Sequence, residues 1–115
     1  MTIISRLLTC IAAVILLSGC ANTTFIISKD GKAYYLGTKS RNLHAMLCES
    51  GDLKRVLAEV AIPDDLKKEF YKYNCSDEQS KEKVVAIYTF FMPEEKEALK
   101  SAFRRHGYDI NYVPC

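Results

Sequence analysis

Phe25-Ile26-Ile27-Ser28-Lys29-Asp30-Gly31-Lys32-Ala33-Tyr34-Tyr35-Leu36 is the stretch from which the architecture can be worked out. Two runs rich in β-branched and aromatic residues flank Lys29-Asp30-Gly31. An Asp-Gly pair between such runs predicts a β-hairpin, because glycine accepts the positive φ that a tight turn needs. Gly37 to Ser40 breaks the second strand, and Ser40 stands where a helix needs its N-cap.

From Arg41 onward the apolar spacing changes to three and four. Leu43, Met46 and Leu47, then Leu53, Val56, Leu57 and Val60, predict two short helices meeting at Gly51-Asp52. Pro63 at a first-turn position, with Asp64 and Asp65 beside it, opens a third helix through Leu66, Phe70 and Tyr73, since proline loses no hydrogen bond there and acids favour the positive end of the dipole. Ser76 with Gln79 three residues on has the form of a capping box for a fourth helix, whose apolar face is Val84, Ile87, Tyr88 and Phe91. Residues 84–91 are also rich in β-formers, so a buried strand competes with the helix. Pro93, Glu94 and Glu95 open the last helix. Leu99, Ala102 and Phe103 face inward along it, Arg104, Arg105 and His106 lie at its negative end, and Gly107 stops it. Tyr108 to Val113 alternates as a strand, and beside the hairpin it would bring both ends of the domain together. The expected fold is α+β: an N-terminal β-hairpin, four to five short helices and a C-terminal strand, stapled by a disulfide.

The 115 residues carry sixteen Lys+Arg against fourteen Asp+Glu and are 49% hydrophobic, which bounds the chain to one compact domain and excludes a multidomain enzyme. A net charge of +2 is too small for nucleic acid to be the main partner. Met1 to Cys20 has the parts of an export signal: Arg6 as its one charge, an apolar run from Leu7 to Leu17, then Ser18 and Gly19. The run is shorter than the roughly twenty residues a membrane-crossing helix needs. Its end, Leu17-Ser18-Gly19-Cys20, resembles the lipobox of bacterial lipoprotein precursors. The resemblance implies cleavage between Gly19 and Cys20, diacylglyceryl attachment to the Cys20 thiol, and acylation of the freed amine by a fatty acid such as palmitate. It divides the chain into a signal peptide (1–19), a lipidated tether (20–24) and one small α+β domain (25–115). Several acyl chains on one cysteine hold a protein at a bilayer where a single chain binds only marginally. Ala21 stands where an Asp is the family's usual inner-membrane retention signal, so the resemblance favours the outer membrane of a two-membrane envelope. Removing residues 1–19 takes Arg6 from the sixteen basic residues and nothing from the fourteen acidic ones, leaving a side-chain balance of +1.

Of five cysteines, Cys10 leaves with the signal and Cys20 is acylated, so Cys48, Cys75 and Cys115 remain. An exported domain with three thiols suggests one disulfide and one cysteine over. Helices running up, down and up put the end of the first and the end of the third at one pole, which favours Cys48 with Cys75 and leaves Cys115 free, or as an alternative partner that pins the tail or pairs with another chain. Closing that loop removes denatured-state entropy worth roughly 3 kcal/mol. Metal ligation is the competing arrangement. His44 and Cys48 share one helical face, and Cys75 or His106 would complete a site. No Cys-x-x-Cys or His-Glu-x-x-His pattern supports it, and no cofactor is implied.

Other candidates for chemistry have simpler explanations. Arg104, Arg105 and His106 form a candidate phosphate or acidic-partner grip, but the helix dipole alone explains three cations at that end. Asp64-Asp65 and Glu94-Glu95 sit where helix starts need charge. The seven tyrosines suit core positions with polar tips, or a binding patch if they share one face. Leu43-His44-Ala45 with Gly51-Asp52-Leu53, and Phe103 to Asn111, are similar to the two ends of ankyrin repeats. The repeat period is not kept between them, so this is read as helix-turn-helix packing that shares cap chemistry. The functional expectation is therefore a lipid-anchored, non-catalytic interaction or accessory module of a larger envelope complex. Its partners are membrane lipid, through Cys20, and another envelope protein. The alternative is a small metal- or ligand-binding lipoprotein using His44, Cys48 and a neighbouring Cys or His.

Overall fold

A computed structural model describes residues 24–113. The signal segment, Cys20 and Cys115 lie outside the described residues. Strands β1 (Thr24–Lys29) and β2 (Lys32–Tyr35) form the expected antiparallel hairpin, with Lys29 opposite Lys32. Both turn residues have positive φ, 53° at Asp30 and 78° at Gly31, as in the type I′ turn whose twist matches paired strands. Thr24, expected as the last tether residue, is already the first residue of β1.

Five helices follow among the described residues. Helix α1 (Arg41–His44) is capped by the Ser40 side chain, which accepts from the Leu43 amide, and it continues as a π-helical segment (Ala45–Glu49). Then come α2 (Asp52–Ala58), α3 (Asp64–Cys75), α4 (Lys81–Thr89) and α5 (Pro93–Arg105), with strand β3 (Asp109–Val113) last. The α+β reading, including helix in preference to strand over most of residues 84–91, agrees with this architecture.

Three details differ from the sequence reading, each for a local reason. Ser80, and not Ser76, caps α4, accepting from the Lys83 amide at 3.2 Å. Ser76 closes α3 instead: its hydroxyl donates to the Lys72 carbonyl at 2.6 Å and accepts from the Glu78 amide at 3.0 Å. Pro63 is the N-cap of α3 with extended ψ, one position before the first turn. The first helix also widens after His44, where the Ser50 amide bonds back five residues to the Ala45 carbonyl. The Met46 carbonyl is taken by the Ser50 and Tyr108 hydroxyls, so the widened turn is tied to the segment leading into β3.

The sheet order is β2-β1-β3, both pairs antiparallel, with Thr24 opposite Val113. Alternation puts Phe25, Ile27 and Ile110 on one face, where they are buried, while Ala33, Tyr35, Asp109 and Asn111 point to the other and are exposed. The helices cover the first face. Leu47, Leu53, Val56, Phe70, Val84, Leu99 and Phe103 are at most 1% exposed in the shared core. Each contributes about 1.5–3 kcal/mol by leaving water, and together they fix the sheet beneath the helical layer.

Candidate functional site

Cys48, in the π segment, and Cys75, the last residue of α3, are joined in a disulfide with an S–S distance of 2.04 Å and a Cα–Cα distance of 5.7 Å. The pairing expected from helix order is therefore present. Neither sulfur is a free thiolate in this state, so Cys48 and Cys75 have no metal-ligating electron pair of that kind to offer. His44 donates from Nε2 to the Cys75 carbonyl at 3.3 Å, and its Nδ1 lies 3.5 Å from Glu49 Oε1. It borders an open polar basin of about 610 Å³ with Arg41, Asp77 and Gln79. His106 is remote from this cluster, on Glu59. No group of three or more His, Cys, Asp or Glu among the described residues is placed to hold a metal ion.

The cationic run at the end of α5 is divided among carboxylates. Arg105 Nε donates to Glu59 Oε1 at 2.8 Å, the other Glu59 oxygen bonds His106 Nε2, and Arg104 lies 3.6 Å from Asp109. The His106 hydrogen bond, then the Arg105 one, holds the Glu59 carboxyl below its usual pKa of 4.5. The run thus clamps the end of α2 to the end of α5, and two of its three cations are occupied on one acid. Glu59 is 46 residues from Arg105, so no local pattern in the sequence points to it.

A second polar cluster forms where the hairpin turn meets the π segment. Lys29 and Lys32 are directly opposite each other across the strands and share a face, with Tyr34, Asn42 and Met46 beside them, around a basin of about 510 Å³. Lys29 Nζ lies 3.8 Å from Asp52 and 4.5 Å from the centre of the Tyr108 ring, whereas Lys32 has no ion pair among the described residues. Asp30 and Ala45 complete the lining of this basin, so an acid stands among its two lysines. The hairpin register that creates the pair is readable from Lys29-Asp30-Gly31-Lys32, since a two-residue turn makes Lys29 and Lys32 neighbours. Asp64-Asp65 and Glu94-Glu95 serve the helix starts as expected. Asp65 accepts from the Leu66 amide at 3.0 Å, and Glu95 accepts from the Met92 amide at 2.6 Å.

The tyrosines divide. Tyr88 and Tyr108 are core, Tyr34, Tyr71 and Tyr73 are half-buried, and Tyr35 and Tyr112 are exposed. Between α2 and α3 a shallow apolar groove of about 310 Å³ has Leu57, Ala58 and Tyr71 at its floor and Lys54, Lys67 and Lys68 at its rim. No helix among the described residues is long and apolar enough to cross a membrane. The chain is thus a small α+β domain with one helix-to-helix disulfide and polar basins on its surface. No protein-family model, no curated protein and no solved structure matches it.

Proposed function

We propose that this chain is a lipid-anchored envelope lipoprotein whose domain serves as a non-catalytic interaction module of a larger envelope assembly, at the outer membrane where the cell has two. The observation that carries the reading is the position of Cys20. Leu17-Ser18-Gly19-Cys20 is followed by only Ala21, Asn22 and Thr23 before β1 begins. Thr24 and Val113 are paired, so a tether entering at β1 meets the domain at one end and need not pass across it. The Cys48–Cys75 disulfide is chemistry suited to an oxidising compartment outside the cytoplasm. Polar groups that would otherwise suggest catalysis are engaged as caps and clamps.

Metabolic labelling with a palmitate analogue, with intact mass and fractionation of the wild type and Cys20→Ser, tests the anchor. The wild type is expected to gain acyl mass and fractionate with membrane, and the serine variant to lose the label and leave the membrane fraction. A serine variant with unchanged mass and fractionation refutes the anchor. Crosslinking and mass spectrometry on intact envelopes tests the module role, and a recurrent protein neighbour is the expected result. The alternative, a small metal- or ligand-binding lipoprotein using His44, Cys48 and a neighbouring Cys or His, loses the Cys48 sulfur to the disulfide and keeps His44 beside its polar basin. A small ligand or metal retained in native mass spectra, with no crosslinked neighbour, favours that alternative.

A further inference from the structure

Among the described residues the large apolar side chains left exposed are Phe90 (71%), Met92 (55%), Tyr35 (50%) and Tyr112 (41%). Scattered singly, such residues need no explanation. Here three of the four, Phe90, Met92 and Tyr112, sit on elements that meet. Tyr112 lies opposite Phe25, the second residue of β1, with ring centres 5.1 Å apart. Phe25 packs on Tyr88 at 4.3 Å, and Tyr88 packs on Phe91 at 5.6 Å. Phe90 and Met92 flank Phe91 in the turn between α4 and α5. Tyr35, opposite Ile26, is at the same end of the sheet but on its other face. The elements that carry Phe90, Met92 and Tyr112 therefore meet at the end from which β1 leads back to Cys20.

The tether is short. Four Cα–Cα steps separate Cys20 from Thr24, and at full extension they span at most about 14 Å. The polar headgroup layer of one leaflet is on the order of 5–7 Å thick. A domain held that closely has its tether end against the headgroups. The turn there, Phe90-Phe91-Met92, carries no charged residue, although 26% of the chain is charged. Lys96 Nζ lies 5.1 Å from the centre of the Tyr88 ring, within the same corner. Aromatic side chains with an apolar body and a polar tip settle at the membrane–water boundary, and a nearby lysine can reach phosphate.

We propose that the corner formed by Phe90, Met92 and Tyr112 inserts into the boundary between headgroups and acyl chains, giving the domain a second, non-covalent contact with the bilayer and a fixed orientation on it. The inference rests on acylation of Cys20. A lipid surface is the occupant that the tether length selects, because it is the one partner within reach in every anchored copy. Glu94, Glu95 and Glu97 stand with Lys96 at the start of α5, so insertion gains nothing from anionic lipid and is equal in neutral vesicles.

The chain contains no tryptophan, so a single one reports its own surroundings. Full-length acylated Phe90→Trp is reconstituted into phosphatidylethanolamine–phosphatidylglycerol vesicles and into phosphatidylcholine vesicles, alongside Lys32→Trp at the far end of the hairpin. Lipids brominated near the headgroup are expected to remove about half the Trp emission of Phe90→Trp, with a shift to shorter wavelength, and to leave Lys32→Trp unchanged in both lipids. Equal iodide access at the two sites, in protein whose mass carries acyl chains on Cys20, overturns the insertion and leaves the anchor standing. Absence of acyl mass overturns both. Protection of Phe90→Trp from iodide without quenching by brominated lipid assigns the corner to a second copy or a protein partner, and also overturns the proposal.

Discussion

Tyr108 is 1% exposed, yet its hydroxyl is satisfied. It donates to Asp52 Oδ2 at 2.6 Å, with the Met46 carbonyl at 3.0 Å as a second acceptor, and Lys29 and Arg55 flank the same carboxylate. Burial first, and the Asp52 hydrogen bond second, push the phenol well above its ordinary value of 10.0. The sign follows from linkage. A group whose pKa is raised by folding contributes fully below its unfolded value and loses that contribution as pH rises from about 10 through the folded value. Tyr108→Phe is expected to cost about 1–2 kcal/mol at neutral pH, because a partly buried carboxylate loses its donor. Urea unfolding at pH 7 and at pH 10.5 checks this: the gap between wild type and variant narrows at the higher pH, and a gap constant across that range refutes the assignment. Tyr108 is recognisable in the sequence as the start of an alternating strand, but its acceptor is not. Asp52 is 56 residues away and reads locally as a helix-start acid. The same separation conceals Glu59 from Arg105 and His106. Side chains that pair across the core leave no periodic trace in the chain.

At the scale of elements, the start of α4 is where local patterning and tertiary contact disagree. Ser76-Asp77-Glu78-Gln79 has capping-box form, but its serine is used by the helix before it, and the next serine caps the helix after it. Backbone approach from the hairpin accompanies that choice. Gly37 has φ of +83°, and a Cβ there would lie 2.6 Å from the Ser80 carbonyl oxygen and 2.9 Å from the Lys81 amide nitrogen. Gly31 has similar φ, +78°, but a Cβ there meets nothing within 4 Å. The two glycines therefore separate conformational strain from steric exclusion. Gly31→Ala is expected to cost about 1 kcal/mol through left-handed backbone strain alone. Gly37→Ala is expected to cost about 3 kcal/mol or more, because the N-terminus of α4 must also move. Thermal unfolding of the two variants side by side is the measurement, and equal losses refute the close approach. The helices and strands themselves are legible because apolar spacing and Gly-Pro punctuation are local. The π segment is not, since its widened turn is held by Ser50 and Tyr108 together.

For the whole molecule, two closures hold the layers. Pairing of β3 with β1 brings residues 24 and 113 together, and the disulfide joins residues 48 and 75 across a separation of 27. The first closure is legible from Gly107 followed by an alternating run, because a strand after a stopped helix finds the open edge of the hairpin. The second is legible because short loops make successive helices antiparallel, which puts the ends of α1 and α3 at one pole. The Lys29–Asp52–Tyr108 cluster, which joins β1, the start of α2 and the residue before β3, is legible only in the folded structure. The closures act on different parts of the chain, so they can be tested apart. Removing the disulfide releases a loop whose closure is worth roughly 3–4 kcal/mol in the chain-entropy model, a large share of the stability of a domain this size. The doubly substituted Cys48→Ser, Cys75→Ser protein is expected to melt roughly 15–25 °C below wild type, with the sheet-side contacts intact in the remaining folded population. Cys115→Ser should leave the melting temperature and its sensitivity to reductant unchanged, because Cys115 takes no part in that loop. A double variant that melts with wild type, or a Cys115→Ser protein that loses its sensitivity to reductant, would place the stabilising crosslink elsewhere.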